Sequence, residues 1–189
     1  ADLWRSVGVV PDIVAGHSIG EVAAAHVAGA LSLEDAVLVC FHRSRLQARL
    51  AGRGGMLAVG LGEAEAHRRI AGLEDLVSLA AINSAKGVTL AGDTAALEEL
   101  AAIFEGEGIF ARMLNVEVPY HSPAMDEIRA PLAGALGAIS PKDCAIPLVS
   151  TVTGELLHGR DIGPAYWNRT ARDTVLFARA MASRIGPDW

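Results

Sequence analysis

The 189-residue sequence is poor in the features that mark several large classes of protein. It holds only two cysteines, Cys40 and Cys144, without metal-ligand spacing. Both are expected as buried, inert thiols of a reducing compartment, and no metal site is expected. No apolar run approaches the roughly 20 residues that cross a bilayer, so no membrane partner is expected. Charge of one sign never accumulates: the net charge is −6 without long like-charge runs, which gives no support to nucleic-acid binding. The first residues, Ala1-Asp2-Leu3-Trp4-Arg5, lack a basic stretch followed by an apolar one. A signal peptide is therefore not expected there, and the localisation that fits is cytoplasmic. Repeats and low-complexity segments are also missing. What remains is 51% hydrophobic and 20% charged, a globular chain long enough for one good core or two small subdomains.

One stretch carries a specific signal. Gly16-His17-Ser18-Ile19-Gly20 follows the apolar run Asp12-Ile13-Val14-Ala15 and opens into Glu21-Val22-Ala23-Ala24-Ala25-His26-Val27, which reads as a helix. Strand, glycine-flanked serine, helix is the context in which G-x-S-x-G lifts a hydroxyl to the tip of a sharp turn. A Cβ at either glycine is expected to collide with the neighbouring strand or helix. The Ile19 N–H, at the helix N-terminus, would face an oxyanion formed on an acyl group attached to Ser18.

A serine hydroxyl is a poor nucleophile at neutral pH and needs a base. His17 adjoins the serine but points away from it, and reads as a structural part of the turn. His26, His42 and His67 fall on helices, and His158 in a turn beside Gly159. His121 differs: it lies in Pro119-Tyr120-His121-Ser122-Pro123, where prolines at both ends make the loop rigid. It reads either as the base or as a surface-loop histidine. Arg43 falls in a helix whose apolar positions, Leu33, Ala36, Val37, Cys40 and Phe41, follow helical period. It reads either as a snorkelling side chain or as a fixed fork for a carboxylate.

The chain order predicts an α/β protein. A helix starts at Ser32, with Asp35 at capping-box spacing, and runs to about Leu50 before the breaker Gly52-Arg53-Gly54-Gly55. Residues 56–61 read as a strand, 63–71 as a helix, 77–82 and 88–92 as strands, 95–105 as a helix capped by Thr94, and 110–118 as a strand. This β-α-β-β-α-β order is that of ferredoxin-like domains. Segment 56–116 is therefore expected as a ferredoxin-like small subdomain inserted into a larger part, 1–55 and 117–189. In that larger part a helix is expected over 124–136, a strand over 147–152 and two helices from Ala165 and from Val175. With the serine so near residue 1, and Pro187-Asp188-Trp189 ending before any further strand, the chain is expected to be truncated at both ends.

These segments together resemble the malonyl-CoA:acyl-carrier-protein acyltransferase family, in particular the acyltransferase domains of type I polyketide synthases. The resemblance rests on Gly16-His17-Ser18-Ile19-Gly20-Glu21, Arg43-Ser44-Arg45-Leu46, Gly54-Gly55-Met56, Asn83-Ser84, Tyr120-His121-Ser122-Pro123 and Tyr166-Trp167, in the family's order and spacing. It implies an α/β-hydrolase-like large subdomain around the ferredoxin-like insert. It also implies Ser18 as nucleophile, His121 as base and then acid, and Arg43 as partner of a malonyl carboxylate. Ile19 and Tyr120 would line the extender pocket, His17 and Asn83 would belong to the site, and a backbone carbonyl near Thr170 would orient His121. The family's second oxyanion donor would lie before Ala1 and its closing Gly-Pro segment after Trp189. No metal or redox cofactor is implied; the coenzyme A thioester is a substrate. The implied partners are malonyl-CoA or a related acyl-CoA, an acyl carrier protein and a neighbouring ketosynthase domain. Tyr120 and Ile19 match relatives that take malonyl rather than methylmalonyl units, although Val118-Pro119-Tyr120-His121 matches neither pattern in full. The pH dependence is expected to follow an imidazole, roughly pH 6–7. A serine hydrolase or thioesterase using the same turn, and a non-catalytic synthase scaffold, are the alternatives; the cation at Arg43 disfavours the first and the intact Ser18, His121 and Arg43 the second.

Overall fold

The computed structural model describes residues 1–185; the expectations for Pro187-Asp188-Trp189 lie outside the described residues. A short helix, α1 (Asp2–Ser6), and an exposed loop lead to β1 (Val14–Ala15), and a sharp turn enters α2 (Gly20–Val27). Ser32 caps α3 (Leu33–Gln47) as expected, its Oγ accepting the Asp35 N–H at 3.0 Å. The buried face of α3 matches the expected one only at Ala36 and, half-buried, at Cys40. Ala36, Val39, Arg43 and Leu46 face inward, whereas Leu33, Val37 and Phe41 are exposed. The two stripes both follow helical period and lie about 140° apart around the helix, so periodicity alone did not separate them.

After the breaker come β2 (Gly55–Val59), α4 (Glu63–Arg69), β3 (Val77–Ser84), β4 (Gly87–Gly92), α5 (Thr94–Gly106) and β5 (Ala111–Met113). Their strands form an antiparallel sheet in the order β3-β4-β2-β5, with Leu57 opposite Leu90 and Val59 opposite Val88. Those side chains share one buried cluster with Ala66 and Ile70 from the α4 region and Leu97, Leu100 and Phe104 from α5. The alternate residues Met56 and Ala91 point to the other face and pack with Ala80 and Tyr120. Asp93, not Thr94, caps α5, accepting the Ala96 N–H at 2.9 Å. β5 is shorter than expected because its pairing with β2 ends at Met113.

The return segment begins with a 3₁₀ turn at Pro123–Ile128 and continues as α6 (Arg129–Ala135), where one helix over 124–136 was expected. Pro131 explains the break. It has no N–H to bond back into the preceding turn, and is accommodated only in the first turn of a new helix. There follow β6 (Leu148–Val149), β7 (Leu156–Leu157), α7 (Pro164–Arg172) and α8 (Phe177–Ile185). β1 pairs parallel with β6, and β7 antiparallel with β6. A second buried cluster joins residues from both ends of the chain, among them Val22, Leu46, Met125, Leu148 and Trp167. Cys40 and Cys144 are only half-buried at its edge, and burial pushes both thiols up. No helix among the described residues is long and apolar enough to cross a membrane.

Candidate active site

The turn between β1 and α2 is built by one glycine more than by two. A Cβ on Gly16 would stand 2.2 Å from the Gly20 carbonyl oxygen, so residue 16 has to be glycine. A Cβ on Gly20 would meet nothing within 4 Å, which corrects the expectation of a clash at both flanks. Ser18 takes φ +54°, a left-handed conformation costly for a residue with a Cβ. His121, in its proline-bounded loop, takes φ +58°. Two strained residues meet here: Ser18 Oγ lies 2.7 Å from His121 Nε2.

His121 is buried, and its Nδ1 lies 3.0 Å from the Asp173 carbonyl oxygen. A carbonyl only accepts, so Nδ1 carries the proton and Nε2 faces the serine hydroxyl as acceptor. The orienting carbonyl therefore belongs to Asp173 and not to the position near Thr170. Thr170 lies inside α7, its hydroxyl bonded to the Trp167 carbonyl. Asp173, the residue after the helix, is extended (ψ 157°), which frees its carbonyl to turn toward the loop. Burial, with the Arg43 cation next in weight, lowers the His121 pKa to about 3. The imidazole is thus neutral at pH 7, the form a base requires, but far below the expected imidazole range.

Arg43 projects from the buried face of α3 and is 2% exposed. Its Nη2 donates to Ser18 Oγ at 2.9 Å, while Nε and Nη1 have no hydrogen-bond partner among the described residues. Burial lowers its pKa to about 10, so the cation persists at neutral pH. A buried guanidinium with open donors is a costly arrangement that an arriving carboxylate would relieve.

His17 Nε2 lies 2.8 Å from Asn83 Oδ1 on β3, and Asn83 Nδ2 donates to Thr89 Oγ1 on β4 at 3.1 Å. The His17 ring also packs against Phe177 in a tilted arrangement, with ring centroids 5.3 Å apart and the planes at 55°. Ile19 stands at the N-cap position of α2, makes no side-chain cap bond and is 42% exposed. Tyr120 is half-buried between the cluster that holds Val22, Leu46 and Trp167 and the small group of Met56, Ala80 and Ala91 on the other face of the sheet.

Sequence reasoning missed a buried polar knot under the turn. Glu21 accepts from the Thr151 N–H at 3.0 Å, from Thr151 Oγ1 and from the Tyr166 hydroxyl. Thr151 Oγ1 also reaches the Gly16 carbonyl at 3.2 Å, and the Tyr166 hydroxyl lies 2.6 Å from Ser150 Oγ. Burial raises the Glu21 pKa, and it raises that of Tyr166 with the Glu21 carboxylate as a second cause. The available signal was a glutamate directly after the motif, on an otherwise apolar inner turn.

The class that this fold and site define is an α/β protein with a histidine-paired serine at a strand-to-helix turn, an arrangement able to accept an acyl group. The chain belongs to the acyl transferase domain family, whose sequence profile matches residues 1–188. It is 43% identical over 181 residues to the erythronolide synthase EryA2 of Saccharopolyspora erythraea, a match covering 96% of this chain and 5% of that protein. Among solved structures it resembles the acyltransferase domain from module 8 of the salinomycin polyketide synthase, with 42% identity and a TM-score of 0.94 over 96% of this chain and 43% of that one. It also resembles the acyl transferase domain of SpnD in complex with 2-(pent-4-yn-1-yl)malonyl, with 33% identity and a TM-score of 0.86 over 99% of this chain and 46% of that one. The chain thus spans under half the length of either solved relative.

Proposed function

We propose that this chain transfers a malonyl-type extender unit from coenzyme A to the phosphopantetheine thiol of an acyl carrier protein, in polyketide or fatty acid biosynthesis. The observation that carries the reading is Arg43: a buried cation with two open donor nitrogens, touching the candidate nucleophile. Ser18 Oγ attacks the thioester carbon while His121 Nε2 takes its proton. The carbon–sulfur bond breaks, and the coenzyme A thiolate leaves with that proton. The carrier thiol then attacks the acyl-serine, His121 taking the thiol proton and returning it to Ser18. The Ile19 N–H stabilises the oxyanion in both halves. Neither half needs a metal or redox cofactor. His17 and Asn83 hold the turn, and Tyr120 limits the space beside the malonyl Cα.

In this reading 1–55 and 117–189 form an α/β-hydrolase-like large subdomain around a ferredoxin-like insert at 56–116. The antiparallel sheet order and the two separate apolar clusters support that division. A cytoplasmic synthase with a neighbouring ketosynthase domain is the setting that fits. Incubation with malonyl-CoA, followed by mass spectrometry of peptides, tests the reading. A malonyl group on Ser18 that a phosphopantetheinylated carrier protein removes supports transfer. Release of free malonate without a Ser18 adduct supports a hydrolase instead, and absence of either supports a scaffold.

A further inference from the structure

We infer that Thr174 is a positioning residue for His121, and that β3 serves as the jig that aligns the serine and the histidine. The inference rests on the base role proposed for His121. The imidazole owes its orientation to a main-chain carbonyl at Asp173. A carbonyl in a segment that follows a helix end is only as well placed as that segment. Here the next residues are fastened to β3. Thr174 Oγ1 donates to the Leu79 carbonyl at 2.7 Å. The Val175 N–H donates to the Ala80 carbonyl at 2.9 Å, and the Ile82 N–H donates to the Val175 carbonyl at 2.8 Å, a parallel bridge outside the regular sheet. The Leu176 N–H, in turn, bonds the Thr151 carbonyl at 2.7 Å beside the knot under the turn.

The same strand reaches the nucleophile. Asn83, one residue after Ile82, holds His17, and His17 directly precedes Ser18. β3 therefore grips the serine's turn through a side chain at residue 83 and the histidine's anchor through residues 79, 80 and 82. Of the links on the histidine side, Thr174 Oγ1 is the side-chain one, and it is adjacent to Asp173. Both the serine and the histidine sit at positive φ, conformations that persist only where their surroundings over-determine them. A small displacement of a catalytic group costs rate steeply, so a distant anchor of this kind is a functional residue even though it touches no substrate.

The test compares T174V, which keeps the shape and loses the donor, with T174S, which keeps the donor. The readout is labelling of Ser18 by a fluorophosphonate, followed by peptide mass spectrometry. In that reaction the Ser18 Oγ–P bond forms, the P–F bond breaks, fluoride leaves and His121 Nε2 accepts the hydroxyl proton. It requires the aligned pair but no acyl-CoA. T174V is expected to label on the order of 10-fold more slowly. T174S is expected to label at the wild-type rate, and the malonyl-CoA KM of both to stay unchanged, since Arg43 is untouched. If T174V does not fold, T174A takes its place against T174S. Wild-type labelling by the hydroxyl-free variant, or equally slow labelling by T174S, would overturn the inference. Failure of the wild type to take malonyl while fluorophosphonate labelling still depends on Thr174 would overturn the transferase reading and leave this one standing.

Discussion

Gly16 and Gly20 look equivalent in the motif and are not equivalent in the fold. A Cβ at residue 16 would sit 2.2 Å from a carbonyl oxygen, so Gly16→Ala is expected to prevent the turn from forming and to lower the melting temperature sharply. Gly20 begins α2 with open space around it, so Gly20→Ala is expected to stabilise by about 0.5–1 kcal/mol. Thermal melts of the two variants check the contrast. His121 gives a second residue-scale prediction. Its folded-state pKa of about 3 lies below the ordinary 6.5. Between those values the unfolded chain binds a proton that the folded one refuses. Stability is therefore full above pH 6.5 and falls as the pH drops through that window. For the same reason the Ser18 loading rate is expected to stay level from pH 8 down to pH 5; a half-maximal rate near 6.5 would contradict a desolvated, neutral His121. The sequence-based expectation of pH 6–7 missed this because burial and the neighbouring guanidinium are properties of the assembled site.

At the scale of elements, α2 is anchored by a polar contact at its first turn as much as by its apolar face. Glu21 is 1% exposed and offers its carboxylate to Thr151 and Tyr166, tying α2 to the end of β6 and to α7. Glu21→Ala would leave the buried Thr151 N–H without an acceptor and remove the bonds that the Thr151 and Tyr166 hydroxyls make to a charged group, for an expected loss on the order of 3 kcal/mol. Glu21→Gln, which keeps an acceptor oxygen, is expected to lose less, and chemical denaturation measures both. Elements were legible where local signals were strong. The Ser32–Asp35 cap and the strand readings at 56–61 and 88–92 led to the right elements. They failed where two signals competed: two helical stripes on α3, two adjacent caps at Asp93 and Thr94, and a proline inside 124–136.

At the scale of the molecule, most parts of the site come from different segments of the chain. Ser18 stood out from its motif context, whereas the residues alone left His121 and Arg43 open between two readings and only the family resemblance singled them out. Asp173 and Thr174 were not, because a backbone carbonyl and its anchor leave no mark on residue type. Tyr120 sits at the junction between the cluster of Val22, Leu46 and Trp167 and the small group of Met56, Ala80 and Ala91. In the proposed function its ring limits the space beside the malonyl Cα, so a preference for malonyl-CoA over methylmalonyl-CoA by roughly 10- to 100-fold is expected. Tyr120→Ser should narrow that ratio in a competition assay, whereas an unchanged ratio would mean that the ring merely packs the junction.

The most direct test of the carboxylate clamp is the loading of Ser18 by malonyl-CoA and acetyl-CoA in the wild type and in Arg43→Ala. Without the guanidinium a buried malonyl carboxylate has no partner, so malonyl loading is expected to fall by about 100-fold or more. Acetyl loading, which brings no charge, is expected to be retained or to rise. Equal loss of both substrates, or retention of malonyl loading in Arg43→Ala, would contradict the account.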